Sequence, residues 1–339
     1  EMAKIFFIMA GEGRGHATRV RAVVEQLRRD HTVVLFASAC ALELLTNAYA
    51  GVPNVEVRRI PGLQFAYRRG RLNYLKSIVS SAPFLARMNR YVSLLTRDIL
   101  AESPDLIITD FEPLLPRAAR RCDAPFISFD HQHFLSTYDL SSLSKPLRRK
   151  AWWMGRFVDA FYRGQQHSIV SSFYFPPLRS GVHDVTQIGV LLRPQILHAR
   201  PVSGDHLLVY LRRFAGDNLL AALRGCGREV RIHGLGERPP DGNLRYFPIS
   251  EESFLGNLKT CQALVSNAGN QLVGEALYLR KPVFALPEAG NFEQQINAHF
   301  IRHSGGGDWF DAESITPSDL LTFLERVPLL RRQIDSTNI

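Results

Sequence analysis

Residues 4–10, KIFFIMA, are apolar at every position after Lys4, so an extended strand here has no face left for water. A strand apolar on both sides is buried on both sides, as in a parallel sheet covered by helices front and back. The pattern recurs in TVVLFAS (32–38), DLIITD (105–110) and PFISFD (125–130), and more weakly in VEVRRI (55–60). Helical spacing lies between these runs. In ATRVRAVVEQLRRD (17–30), Val20, Val23, Val24 and Leu27 share one side. A long polar and aromatic helix is expected over about 72–101, and EPLLPRAARRCD (112–123) reads as a helix with an early proline. Strands alternating with helices imply a parallel sheet with right-handed crossovers.

The pattern then restarts. HLLVYLR (206–212), REVRIHG (228–234), LRYFP (244–248), QALVSN (262–267) and PVFALP (282–287) are five further candidate strands. A chain of 339 residues is long for one core and natural for two. Prolines and glycines gather in YFPPLRSG and LLRPQILHARPVSG, between about 175 and 200. The expected fold is α/β, with two Rossmann-like doubly wound domains, 1–185 and 186–339, facing across a cleft. The last helix is a candidate to pack back on the first domain. Ligands of such sheets bind beyond the carboxyl ends of the strands. No apolar run is long enough to span a bilayer. AKIFFIMAG reads as a buried strand rather than a signal peptide, and Glu1 ahead of Met2 as an added residue. Cys40, Cys122, Cys226 and Cys261 show no paired spacing, which favours a cytoplasmic location over a disulfide framework or a zinc site.

The loop after the first strand is GEGRGH (11–16). Gly11 and Gly13 fit a dinucleotide fingerprint, but His16 takes the third glycine's place and no acidic residue ends the second strand. The Gly-Lys-Ser/Thr of a phosphate loop is absent. Two readings stay open: His16 as a general base at the start of the first helix, with Gly13, Arg14 and Gly15 on the acceptor side, or His16 as a simple helix cap. A base needs an orienting partner, and Asp110 ends the strand expected beside the first. Asp130, His131 and His133 follow the next strand; they would line the acceptor side, although Asp130 alone could instead cap a turn. No metal site is expected: neither aspartate begins an Asp-x-Asp motif, and His299 and His303 lack an acidic third ligand.

Residues 264–300, LVSNAGNQLVGEALYLRKPVFALPEAGNFEQQINAHF, carry most chemistry in the second half. A strand ends at Ser266, and the turn Asn267–Asn270 leads into a helix through Gln271. Backbone N–H groups at such a start favour a diphosphate. Glu275, about two turns along, can accept hydrogen bonds from ribose hydroxyls. Glu293 and Gln294 suit sugar hydroxyls. The segment resembles the signature of nucleotide-sugar-dependent glycosyltransferases of the GT-B fold, most nearly the inverting natural-product and peptidoglycan-pathway enzymes. Gly269 stands at the signature glycine, Glu275 at the ribose-binding glutamate, and Pro287 at a signature proline. Glu293-Gln294 replaces the Asp-Gln that binds the transferred sugar, and Asn297-Ala298 matches outright. GEGRGHATR resembles the family's N-terminal loop, whose histidine is the base in many members. The family's phosphate-contacting histidine is Asn267 here, and Leu272 replaces the following Thr/Ser. Arg212 and Arg213 are therefore candidates for phosphate charge, or plain surface charge, and Ile249 could pack on the nucleobase.

The resemblance implies an inverting, metal-independent transfer from a nucleotide diphosphate sugar, UDP- or dTDP-linked, to an acceptor hydroxyl. The nucleotide sugar is a co-substrate, and no cofactor is expected. A sugar-nucleotide 2-epimerase shares the architecture but would need more carboxylates. A non-catalytic nucleotide-sugar-binding protein is the reading Asn267 favours, whereas His16 and Asp110 favour catalysis. The net charge of +9 concentrates in stretches such as AYRRGR, RAARR and KPLRRKAWWMGR. Nucleic acid is not an expected partner, because no recognisable module is present. Cations beside Trp152, Trp153 and Phe157 suggest a lipid-linked acceptor and a peripheral position on an anionic inner membrane face. The competing reading is a lid helix that packs both tryptophans into the core.

Overall fold

The structure, a computed structural model, describes residues 2–11, 14–63, 67–68, 71–72, 74–161, 163–200, 202, 204–211, 215–248 and 250–336. Contacts divide the chain into two compact units, 1–66 with 73–191, and 67–72 with 192–339.

The strands before residue 192 are β1 (Lys4–Met9), β2 (Thr32–Ala37), β3 (Val55–Arg59), the short pair β4 (Tyr67–Arg68) and β5 (Arg71–Leu72), β6 (Leu106–Asp110), β7 (Phe126–Asp130), β8 (His167–Ser171) and β9 (Val185–Ile188). All but β4 and β5 form one parallel sheet, ordered β3-β2-β1-β6-β7-β8-β9. The helices are α1 (Arg14–Leu27), α2 (Ala39–Ala48), α3 (Tyr74–Glu102), α4 (Leu114–Arg121), α5 (Phe134–Thr137) and α6 (Lys145–Phe161). The all-apolar first strand is explained by its two neighbours. Ile5, Phe7 and Met9 pack with Ala17, Val20 and Val24 of α1 and with Ala41 and Leu45 of α2. Phe6 and Ile8 pack with Phe84, Val92, Leu95 and Ile99 of α3 and with Leu114, Leu115 and Ala118 of α4. Each parity of β1 thus has its own helical layer. β9 extends this sheet beside β8, so residues 186–191 group with the first unit.

The second unit contains β10 (Leu207–Tyr210), β11 (Val230–His233), β12 (Leu244–Phe247), β13 (Ala263–Ser266), β14 (Val283–Ala285) and β15 (Gly307–Trp309), all parallel in the order β12-β11-β10-β13-β14-β15. Its helices are α7 (Pro194–Leu197), α8 (Asp217–Arg224), α9 (Glu251–Thr260), α10 (Asn270–Tyr278), α11 (Phe292–His303) and α12 (Pro317–Ser336). Leu320, Phe323, Leu324, Val327 and Leu330 of α12 lie in this unit's own core, with Val209, Ile232 and Phe284. The last helix therefore buries its apolar side in the second unit.

Strand order reverses at β1/β6 in one sheet and at β10/β13 in the other. The carboxyl ends of these pairs are the crevices where a doubly wound sheet accepts ligands.

Candidate functional site

At the first reversal, β1 and β6 run in register with Met9 opposite Asp110, and the Ala10 N–H donates to the Asp110 carbonyl at 2.9 Å. This brings the tip of β6 beside the start of α1. His16 Nδ1 lies 2.9 Å from Asp110 Oδ1. Arg19, one turn further on α1, closes the other side: its Nε donates to Asp110 Oδ2 at 3.1 Å and its Nη2 to Oδ1 at 2.5 Å. The same Nη2 sits 3.1 Å from His16 Nδ1. Asp110 is fully buried and Arg19 nearly so, whereas the His16 side chain keeps 16% of its surface exposed. Burial alone would push the Asp110 carboxyl up, but Arg19 and then His16 hold it below the ordinary carboxylate range. His16 Nε2 has no hydrogen-bond partner among the described residues.

The triad constrains the imidazole. A guanidinium has donors only. If Nδ1 carries the proton, it donates to Asp110 and leaves Nε2 as a base. If Nδ1 is bare, it accepts from Arg19, and Nε2 carries the proton. Arg19 thus competes with Asp110 for the tautomer. The sequence reading did not single it out; its signal was the i, i+3 spacing from His16.

The glycines of this loop have a packing role. A Cβ on Gly11 would lie 2.1 Å from Ser38 Oγ and 2.6 Å from the Ser38 carbonyl oxygen. A Cβ on Gly62 would lie 2.3 Å from the same Oγ. Ser38, just past β2, is therefore wedged between the loops that follow β1 and β3. Gly15 faces open space. Gly13 lies outside the described residues, as does the Arg14 side chain.

At the tip of β7, Asp130 Oδ1 accepts from the His133 N–H at 2.9 Å, and Oδ2 meets His133 Nδ1 at 2.7 Å. Of the two readings for Asp130, turn capping is the one its contacts fit. Burial lowers the His133 pKa, but Asp130 more than offsets this and raises it. His131 Nδ1 bonds the Ser171 carbonyl at 3.1 Å, and its ring packs against Phe134 and Tyr174. All three side chains are buried, so they offer an acceptor no exposed surface. Beside Asp110, Phe111 adopts φ 51° and Glu112 turns inward. Glu112 Oε2 accepts from the Leu114 N–H at 2.7 Å, while Oε1 is buried without a partner among the described residues. Burial pushes this carboxyl up to about 8.

In the second unit, β13 ends at Ser266, whose Oγ is buried and unpartnered among the described residues. Ala268 takes φ 59°, and Gly269 caps α10. Asn267 Nδ2 donates to the Leu286 carbonyl at 3.0 Å, so its side chain ties this turn to the strand exit at β14. Asn270 and Gln271 open α10 as buried residues, and Gln271 Nε2 donates to Glu275 Oε1 at 3.1 Å. Glu275 is only 1% exposed. Arg193, which precedes α7, grips it with both arms: Nε to Oε1 at 2.9 Å and Nη2 to Oε2 at 2.5 Å. Arg193 also reaches Glu251 Oε1 at 3.2 Å. The sequence reading missed Arg193, whose partner lies 82 residues away. Gln294 Oε1 accepts from the Glu288 N–H at 2.7 Å, and Glu293 is partly exposed in the first turn of α11. Arg212, Arg213 and Ile249 lie outside the described residues. The His233 ring stacks on Phe247 at 5.1 Å and meets Phe254 edge-on at 5.3 Å. Among the described residues, no group of three or more His, Cys, Asp or Glu is placed to hold a metal ion.

Each unit thus carries a polar cluster at the reversal point of its sheet: an imidazole–carboxylate pair in one, and a carboxylate on a glycine-capped helix in the other. Residues 3–328 match the family model described as glycosyl transferase family 1. Solved structures share the fold at low identity. Acinetobacter baumannii MurG is 17% identical, with 98% of this chain and 93% of that chain covered and a TM-score of 0.62. The glycosyltransferase of kitacinnamycin is 16% identical, with 99% and 96% covered and a TM-score of 0.65. Arabidopsis thaliana UGT89C1, complexed with UDP-L-rhamnose, is 14% identical, with 99% and 92% covered and a TM-score of 0.71. No curated protein matches the sequence.

Proposed function

Because the chain belongs to glycosyl transferase family 1 and is a glycosyltransferase of the GT-B fold, we propose that it transfers a sugar from a nucleotide diphosphate sugar to an acceptor hydroxyl with inversion and without a metal. The observation that carries this reading is the pairing of His16 with Asp110 at the tip of β6, with Nε2 unpartnered among the described residues. His16 Nε2 takes the acceptor proton as that oxygen attacks the anomeric carbon. The bond from that carbon to the diphosphate oxygen breaks, and the nucleoside diphosphate leaves with the electron pair. Asp110 stabilises the imidazolium. Single displacement by the acceptor inverts the anomeric centre.

The donor is read on the second unit. The first turn of α10 offers the helix N-terminus to the diphosphate, and the Ser266 hydroxyl, unpartnered among the described residues, precedes it. Glu275 is assigned to the ribose hydroxyls, which would have to displace Arg193 from at least one carboxylate oxygen. Glu293 and the amide of Gln294 are assigned to the transferred sugar. Arg212 and Arg213 remain candidates for diphosphate charge in place of a metal. UDP is the favoured carrier, supported by the UDP-L-rhamnose complex of the Arabidopsis enzyme, with dTDP the other option. The acceptor is read as lipid-linked, supported by the aromatic and basic sequence of α6. A cytoplasmic location is supported by four cysteines that are all free thiols.

The test is a transfer assay against a panel of nucleotide diphosphate sugars, with and without chelator, and with the product anomer assigned by NMR. Inverted product formed at an undiminished rate in chelator is expected. Retained configuration, or full turnover by His16→Ala, would remove the mechanism.

A further inference from the structure

Helix α6 buries a stripe of Ala, Gly and aliphatic residues and turns three aromatic rings outward. Ala151, Gly155 and Val158 are buried, with Leu147 and Met154 partly so, along one stripe. A Cβ on Gly155 would lie 2.5 Å from the Leu135 carbonyl oxygen, so this stripe rests directly on the backbone of α5. The opposite stripe carries Trp152, Trp153 and Phe157, exposed by 46%, 63% and 45%. Of the two readings of these tryptophans, burial in the core is therefore overturned: Gly155 leaves no gap beneath the helix for a ring. The aromatics stand among exposed Lys145, Arg148, Arg149, Lys150 and Arg156. Arg156 lies over the Trp152 ring at 5.4 Å. Asp159 is the only acid in the helix.

We propose that the outer face of α6 docks on the surface of an anionic lipid bilayer, with the Trp152, Trp153 and Phe157 rings in the headgroup–acyl boundary and the surrounding cations on lipid phosphates. Amphipathic rings are favoured at that boundary, and clustered Lys and Arg are drawn to anionic headgroups. Charge decides against a second copy of the chain as occupant. A two-fold contact would set the same five cations against their own images. Among the described residues, no helix is long and apolar enough to cross a membrane, so this attachment is to the surface. The proposal goes beyond the transfer reaction, and surface binding would hold with a soluble acceptor too.

The experiment uses the full chain with Trp309→Phe, which leaves Trp152 and Trp153 as the only tryptophans of the three. It is sedimented with phosphatidylglycerol/phosphatidylcholine vesicles and with pure phosphatidylcholine vesicles, in low and high salt. Brominated acyl chains report ring depth by quenching. Binding to the anionic vesicles with quenching is expected. Lys145, Arg148, Arg149 and Lys150 changed together to Gln should weaken it by on the order of 10³-fold. Trp152, Trp153 and Phe157 changed together to Gln should abolish it, with the circular dichroism spectrum and thermal midpoint of the parent. No binding to either vesicle, equal binding by the variants, or a dimer lost in the aromatic variant would each overturn the proposal. Because these readouts do not use turnover, they are independent of the mechanism assigned to His16.

Discussion

Arg19→Met is the most informative single change. The substitution keeps much of the aliphatic bulk and removes the guanidinium from a fully buried carboxylate. Removing one partner of a buried pair costs about 3–5 kcal/mol when the other is left uncompensated. Here His16 still faces Asp110 at 2.9 Å, which limits the loss. The same substitution removes the donor whose Nη2 lies 3.1 Å from His16 Nδ1. Without Arg19, nothing on that side donates to a bare Nδ1, so the tautomer with Nδ1–H on Asp110 and Nε2 free as the base gains by about the worth of one charge-assisted hydrogen bond, ~1.5 kcal/mol or about tenfold. The plateau of kcat/KM should therefore hold or rise, by no more than about tenfold. Transfer rates on the plateau, read beside 15N NMR of the His16 ring, measure both rate and tautomer. If the plateau drops while the ring signals stay in place, Arg19 only props the fold and the tautomer argument fails.

Glu275→Gln removes charge-assisted bonds assigned to the ribose and should raise donor KM about 10- to 100-fold with a smaller effect on kcat; calorimetry with the nucleoside diphosphate checks the binding share. Asp110 contributes stability that is fully present above its unfolded pKa of about 3.9 and is lost as pH falls through its lower folded value, so Asp110→Asn should flatten the acid limb of a stability–pH curve. Glu112 works in the opposite direction. The unfolded chain releases its proton above about 4.3 while the folded chain holds it to about 8, so stability falls as pH rises through that window. Glu112→Gln should then unfold at a higher denaturant midpoint than the parent at pH 8, by about 1–3 kcal/mol, and lose that advantage near pH 4. Gly155→Ala drives a methyl group into the Leu135 carbonyl and should cost about 1–3 kcal/mol, seen as a lower thermal midpoint.

The architecture was largely legible because burial on both faces leaves continuous apolar runs. All ten strands read from the sequence are present. The ones missed have physical excuses. β8 is HSIVS and β9 is VTQI, each with only two apolar residues and lying next to or at the sheet edge, β4 and β5 are two residues each, and β15 is three residues opening on glycine. The nearness of His16 and Asp110 was readable because both sit at tips of strands that a doubly wound order makes neighbours. Arg19 and Arg193 were not, since each acquires meaning only from a carboxylate far away in sequence. His131 and His133 stand at a strand tip yet are buried, an outcome of packing that the sequence does not display.

Ser38 has no chemistry of its own, yet Gly11 and Gly62 both give way to it. The tips of three successive strands interlock on one hydroxymethyl group, like a peg in two sockets. Enlarging the peg must push the segment leading to His16 at the tip of the neighbouring strand, and evolution can reshape one of these tips only by reshaping its companions in concert.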